Sequence, residues 1–197
     1  VFGAEKGLCG GFNSGLINGV QEFIDKNAGK TIELHVVGKV IERRLRKLGA
    51  KMAWYANQPR ADALVTGQKL GLVRQIEELA GKVTESFLRE EYDEVHVMYV
   101  HFITAIRQEV RTRRILPMSV FWSDQDSGQV PQGAPQEQVR RMEKDMAIAI
   151  YEPDPDTMLD RLLPEHLRRW MSYAFFNSLA AETSARQSAM TRASENA

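Results

Sequence analysis

Cysteine is nearly absent: Cys9 stands alone among 197 residues. That excludes an internal disulfide framework and makes a reducing compartment the default. Charge of one sign is missing too, with 26 Lys plus Arg against 26 Asp plus Glu. A balance of this kind gives no global attraction to nucleic acid or to an anionic membrane surface. No apolar run approaches the roughly 18 residues that a spanning helix needs, so no transmembrane segment is expected. The start lacks a basic-then-apolar signal peptide and an Arg/Ser-rich transit segment. Val1-Phe2-Gly3 reads as the end of a strand already under way, and Ser194-Glu195-Asn196-Ala197 lies inside a helical pattern. Both ends therefore read as cut from a longer protein.

What is present alternates strand and helix signals over residues 1–153. Gly7-Leu8-Cys9-Gly10-Gly11 is a tight turn, after which Asn13 or Ser14 is expected to cap a helix to about Asn27. Leu16, Ile17, Val20, Phe23 and Ile24 give that helix its apolar face. Thr31–Val37 reads as a strand, Val40–Leu48 as a short helix stopped by Gly49, and Lys51–Ala56 as a short strand. Leu72, Ile76, Leu79, Val83 and Phe87 form one stripe of a helix that starts at about Asp62 or Gln68 and runs to Glu90. Val95–Ile103 is apolar on both faces, as a central strand covered on both sides would be. Glu109–Leu116, with Arg107 just before it and Arg111, Arg113 and Arg114 within it, reads as an edge strand or a hairpin arm. The fold class expected is α/β: an open, mostly parallel Rossmann-like sheet with helices on both faces. Residues 123–138, rich in Gln, Asp, Gly and Pro, read as a flexible loop, and Met146–Tyr151 as a final strand or straight lead-in.

Residues 154–197 form a second unit. Asp154-Pro155 supplies an N-cap followed by proline at the first helical position. About 40 residues at about 1.5 Å each make a rod of roughly 60 Å. Such a rod is expected to need a partner helix. Leu159, Leu162, Leu163, Leu167, Trp170, Met171 and Phe175 are large; Ala181, Ala185, Ser188 or Ala189, and Ala193 follow. Leu167, Met171, Ala174, Ser178, Ala181, Ala185, Ser188 and Arg192 alternate steps of four and three, the period of a coiled coil. Glu182 and Arg186 stand at i,i+4, with Arg192, on what reads as the opposite face. If no partner is present, the stripe of Leu167, Trp170, Met171 and Phe175 is expected to cause self-association or a bent-back helix.

Chemical motifs are scarce. The glycine turn meets neither the G-x-G-x-x-G spacing of dinucleotide sites nor the spacing of a P-loop, so it reads as a ligand-free strand-to-helix turn. Cys9 has no His close in sequence and reads as a packed residue. His96 and His101 share a strand but differ by five positions, which sends them to opposite faces. His35 and His166 are isolated in sequence, so no metal site is expected. Lys39, Arg43, Arg44, Arg46 and Lys47 make a basic helix without aromatic interleaving, a solvated face rather than a nucleic-acid surface. Glu152, Asp154 and Asp156 read as helix-capping chemistry. No catalytic residue and no cofactor is expected.

Four blocks resemble the gamma subunits of F-type ATP synthases. Gly7, Leu8, Cys9, Gly10, Gly11 and Asn13 are similar to the family's G-L-C-G-G-x-N turn. Tyr92-Asp93-Glu94-Val95 resembles its Y-D-E-V block, and Tyr151-Glu152-Pro153-Asp154 its Y-E-P-D step. Ser178 to Met190 resembles its S-L-A-S-E-x-x-A-R-x-x-A-M signature, and Asn196-Ala197 its N-A ending. The resemblance implies a central-stalk rotor subunit that couples proton or sodium flow to ATP synthesis or hydrolysis and does no catalysis itself. The implied partners are the alpha and beta subunits of the head, the epsilon subunit and the membrane rotor ring. The implied location is peripheral, on the cytoplasmic side of an energy-transducing membrane such as the bacterial plasma membrane. The missing N-terminal helix would complete an antiparallel coiled coil. Tyr151 and Glu152 would lie at the foot facing the ring. Glu182, Arg186 and Met190 would lie on the shaft helix, packing on the missing helix or facing the stator. Gly3-Ala4-Glu5 in place of S-D-R, the polar pair Thr183-Ser184 and a long Gln/Pro-rich loop mark a divergent member, compatible with an alternative-type gamma subunit. The alternatives from other classes are a nucleotide-binding α/β enzyme, which needs a ligand at the glycine turn, and a helical scaffold protein.

Overall fold

The computed structural model describes residues 1–48, 52–56, 69–117, 152 and 154–196. The first helix, α1 (Phe12–Lys26), buries Phe12, Leu16 and Val20 at steps of four. Its N-cap is Gly11, with no side-chain cap. The expected cap residue Asn13 is engaged elsewhere: its side-chain oxygen accepts from the amide of Ala4 at 3.3 Å. Strand β1 (Leu34–Val37), helix α2 (Lys39–Lys47) and strand β2 (Met52–Ala56) follow, and β1 and β2 pair in parallel from Leu34↔Met52 to Val37↔Ala56. Helix α2 is the crossover, anchored by buried Ile41 and Leu45, with its basic residues exposed as a solvated face should be.

Two glycines make this crossover fit. Gly38 has φ of 110°, and a Cβ there would lie 2.4 Å from the carbonyl oxygen of Gly3. Gly3 in turn packs on Ile41, where a Cβ would sit 2.2 Å from a methyl carbon.

Helix α3 (Lys69–Leu88) buries Ile76, Leu79, Ala80 and Val83, the stripe expected from sequence. Strand β3 (Val95–Phe102) then pairs with β4 (Gln108–Leu116) in antiparallel register, Val100 opposite Val110. The expected parallel pairing is thus met by β1 and β2 but not by β3 and β4. A parallel return needs a crossover of about a dozen residues or more, and Ile103–Arg107 is far too short. The arginine-rich segment is the second arm of this hairpin and, among the described strands, pairs only with β3, so it lies at an edge.

Residues 1–3 join the two pairs. The amide of Gly3 donates to the carbonyl of Val37 at 2.8 Å, Val37 N to the carbonyl of Val1 at 2.9 Å, and Phe2 N to the carbonyl of Met98 at 3.0 Å. Helices cover both faces, as expected. Val97 and Tyr99 of β3 face a core shared with α3 and the C-terminal helix, whereas Met98 and Val100 face one shared with α1 and α2.

The last element, α4 (Pro155–Glu195), is a 41-residue helix. Its start is as expected: Asp154 accepts from Thr157 N at 3.0 Å, and Pro155 sits at the first position. It continues past Pro164 at the loss of one intrahelical hydrogen bond. The loop expected at 123–138, the strand expected at Met146–Tyr151 and residue Tyr151 lie outside the described residues.

Candidate functional site

Helix α4 divides into two faces, and the division differs from the sequence expectation. Leu167, Met171, Ala174, Phe175, Ser178, Leu179, Ala181 and Glu182 are all buried. Leu167, Met171, Ala174, Phe175 and Leu179 pack against α3 and β3 in one core, with Phe175 edge-on to Phe2 at 5.6 Å between ring centroids, and Ala181 joins the other core with α1 and α2. From Leu167 to Ala181 the seam assigned to a missing partner is thus covered from within, whereas Ala185 and Ser188 are half-buried and Arg192 is exposed. Covered too is the stripe of Leu167, Met171 and Phe175 from which self-association or a bent-back helix was expected. Trp170 is half-buried, with the Arg113 guanidinium 4.5 Å above its ring. Over Leu167 to Ala181 the expectation failed because the sheet offers a flat apolar surface that a helix of this pattern covers as readily as a second helix would.

A different stripe stays open. Leu162, His166, Arg169, Tyr173, Phe176, Ala180, Thr183, Gln187 and Met190 alternate steps of four and three, and all are exposed. Leu162 is 55% exposed, Tyr173 46%, Phe176 39% and Met190 56%, so large apolar groups face outward along the helix. This is coiled-coil spacing on a helix whose other side is already fixed.

The glycine turn packs beside the C-terminal half of α4. Leu8 (φ 61°) and Gly10 (φ 53°) are both left-handed. The turn satisfies its own polar groups: Asn13 Nδ2 donates to Cys9 Sγ at 3.1 Å, and the amide of Phe12 donates to the Cys9 carbonyl at 3.2 Å. Cys9 is 2% exposed, and burial, then the carboxylate of Glu182, pushes its thiol up, only partly offset by Arg186. A nucleophilic cysteine needs the opposite shift, so the packed-residue reading fits. Glu182 is not on the open face, as expected from sequence, but buried beside this turn. It keeps the expected i,i+4 pair with Arg186, whose guanidinium also donates to the carbonyl of Lys6 at 3.5 Å. The pair lies inward because a helix docked by its Ser178 side carries position 182, one turn on, to the same side. Gly7, Leu8, Cys9, Gly10 and Asn13 line a groove of about 610 Å³ with Arg44, Met190 and Ala193. Gly11 closes the turn as the cap of α1. Glu152 is exposed.

The histidines behave as their spacing requires. His96 sits against Phe23 of α1, whereas His101 meets Tyr99 on the other face. His35, isolated in sequence, is not isolated in space: its Nε2 lies 3.2 Å from the Tyr92 hydroxyl, which donates to Glu33 at 3.1 Å. Burial is the main reason that its imidazole titrates below the usual range. The Tyr92 phenol is raised, first by burial and then by its bond to Glu33. These three residues line a cavity of about 690 Å³ that is also walled by Val1, Phe2 and Val97. It is a gap in the strand row between β1 and β3, not a convergence of ligands. Among the described residues no group of three or more His, Cys, Asp or Glu is placed to hold a metal. No described helix is long and apolar enough to cross a membrane.

The whole chain, residues 1–197, matches the ATP synthase family profile. It belongs to the ATP synthase gamma family. The chain is 28% identical over 207 residues to the ATP synthase gamma chain of Leifsonia xyli, covering 100% of this chain and 61% of that protein. It is 29% identical over 199 residues to that of a Geobacter species, covering 100% of this chain and 60% of the relative. The chain therefore spans about 60% of the length of these curated relatives. In fold it is similar to the central stalk of the Tetrahymena thermophila mitochondrial ATP synthase, with a TM-score of 0.64, 22% identity and coverage of 98% of this chain and 74% of that one. It is also similar to the rotor of the Euglena gracilis enzyme, with a TM-score of 0.61, 15% identity and coverage of 99% and 65%.

Within this family setting, the open stripe of α4 and the Glu33–Tyr92–His35 cluster are what sequence reasoning missed. The stripe had a signal, its heptad spacing, but the richer apolar row beside it drew the assignment. The cluster had none, because Tyr92 and His35 lie 57 positions apart.

Proposed function

We propose that this chain is the domain-and-shaft portion of the central rotor of a rotary ATP synthase. In this reading α4 turns inside a ring of three alpha and three beta subunits. The α/β domain binds the epsilon subunit and the membrane rotor ring, and proton or sodium flow is thereby coupled to ATP synthesis or hydrolysis. The chain supplies no catalytic side chain; ATP chemistry stays on the ring. An asymmetric shaft presents a different surface to each of three equivalent sites and so holds them in different states, and rotation moves binding free energy from one to the next.

The observation that carries the proposal is the open stripe from Leu162 to Met190 on a helix anchored by its opposite side. A helix of the longer protein packing there would make an antiparallel coiled coil, the stiff rod that torque requires. Ala180 and Thr183 let the backbones approach closely, while Tyr173 and Phe176 fill the wider part of the seam. Met190, exposed at the rim of the groove beside the glycine turn, faces the partner helix or the stator. Glu182 and Arg186 hold α4 to the glycine turn and so keep shaft and domain together. Tyr151 and exposed Glu152 form the foot toward the rotor ring. The complex is peripheral on the cytoplasmic side of an energy-transducing membrane, in a bacterium the plasma membrane.

Native mass spectrometry of the assembly that copurifies with the tagged full-length protein tests this. The expected result is three alpha, three beta and one copy of this chain. A lone homo-oligomer, or a complex without that ring, would overturn it.

A further inference from the structure

We infer that Asn177 and Ser178 of α4 act as a substitute strand edge for β3 and thereby hold the helix on the sheet in one axial register. The inference concerns the fold of the chain and holds whether or not the rotary reading does. Along a strand, alternate amides point to the same edge. On the inner edge of β3, Phe2 N donates to the Met98 carbonyl at 3.0 Å. Beyond Phe2 the chain turns away, since Ala4 already donates to Asn13. The next two inner amides of β3, those of Val100 and Phe102, would then have no strand beside them.

Helix α4 supplies what the strand does not. Val100 N donates to Ser178 Oγ at 2.8 Å, and that hydroxyl donates onward to the Phe2 carbonyl at 3.1 Å. The bond that two parallel strands would make directly thus passes through a serine, at a residue only 2% exposed. One position earlier, Asn177 Oδ1 accepts from Phe102 N at 3.4 Å. From the hairpin, Gln108 Nε2 reaches the Ala181 carbonyl at 3.1 Å.

Apolar packing is non-directional, so a helix held on a sheet by Leu167, Met171 and Phe175 alone has other seatings of similar quality. Hydrogen bonds are directional. Sliding α4 by one turn, about 5.4 Å, would withdraw both side chains and leave the Val100 amide and Phe2 carbonyl buried without partners. The competing account is that residue 178 is merely small, so that helix and sheet approach closely. Alanine would serve that role equally well.

Amide hydrogen exchange on the full-length protein, resolved to single residues, separates the two. Ser178→Ala is expected to speed exchange at Val100 at least ten-fold while Tyr99 and His101, whose amides point the other way, stay within two-fold of the parent. Asn177→Ala is expected to do the same at Phe102. No change at Val100, or a rise shared equally by Tyr99 and His101, would overturn the lock. If Ser178→Ala does not fold, half-buried Asn177 carries the test, and unchanged exchange at Phe102 overturns it. The register claim is read by spin labels at exposed Gln21 and Arg168. One narrow distance distribution is expected in the parent and a broader one in the Asn177→Ala/Ser178→Ala double variant; equal widths would overturn it.

Discussion

Phe175 and Phe176 are neighbours in sequence, yet they should respond very differently to truncation. Phe175 is 1% exposed and packs edge-on to Phe2. Removing its ring gives up about 1.5–3 kcal/mol of transfer free energy, and the cavity left behind raises the loss to about 3–5 kcal/mol. Phe176 is 39% exposed and touches Phe175 at 5.6 Å between centroids. Its truncation should cost about 1 kcal/mol or less in the 197-residue chain. With a urea m-value of about 2 kcal/mol/M, Phe175→Ala should lower the unfolding midpoint by about 1.5–2.5 M, and Phe176→Ala by no more than about 0.5 M. In the full-length protein the contrast should shrink from the Phe176 side, because a partner helix on the open stripe would bury that ring and lift its cost above about 2 kcal/mol. Circular dichroism against urea, on both lengths of chain, measures all four values. Equal midpoint shifts in the short chain would refute the assignment of the two faces. An unchanged Phe176 cost in the long chain would refute the coiled coil.

Three further outcomes follow from local chemistry. Gly38→Ala should destabilise by about 2–3 kcal/mol, since its φ of 110° and the close Gly3 carbonyl oppose any Cβ, while Gly29→Ala, with nothing within 4 Å, should stay within about 0.5 kcal/mol in the same urea titration. For His35, burial depresses the folded pKa below the unfolded value of about 6.5, so the unfolded chain binds more protons in between. Its contribution to stability is complete above about pH 6.5 and declines as pH falls toward the folded value. His35→Gln should flatten the dependence of the urea midpoint over that window, and an unaltered slope would contradict the assignment. Cys9, 2% exposed and with its thiol pushed up, should react with maleimide on the order of a hundred-fold more slowly in the native chain than in urea. Comparable rates would show that the turn opens freely.

Much of the architecture was legible because local rules decide it. The cap at Asp154, the stripe of Ile76, Leu79 and Val83, and the two-faced strand carrying Val97 and Met98 are each determined by neighbours within a few residues. The errors share a cause: each depends on a contact outside the element in which the residue lies. Asn13 reads as a cap until Ala4 is placed beside it. Glu182 reads as solvated until the Lys6–Cys9 turn is packed over its helix. The sheet reads as mostly parallel until the short hairpin after Phe102 makes β4 run back against β3. The glycine turn was located from its residues, but the structural roles of Ser178 and Asn177 were not, since no spacing tells a serine that spans two strands from a serine that is merely small.

The two faces of α4 also account for the error about its partner. A helix with a single apolar stripe has one docking surface, and the strongest row in the sequence marks it. Here the apolar residues occupy two rows: one from Leu167 to Ala181 meets the domain, and one from Leu162 to Met190 stays exposed. A domain of this size could have been satisfied by the first row alone. Keeping Tyr173, Phe176 and Met190 on the outer row raises the risk of aggregation, and that cost is offset only if another surface covers them. The polar contacts along the inner row fit the same division. Were α4 held to the sheet by apolar contacts only, a second partner pulling on the outer row could shift it; bonds from Ser178, Asn177 and Gln108 resist such a shift along the axis. The rotor role proposed above would need a stiff joint on one side of the helix and a continuous seam on the other. In α4 the directional bonds lie on the first side and the heptad spacing on the second.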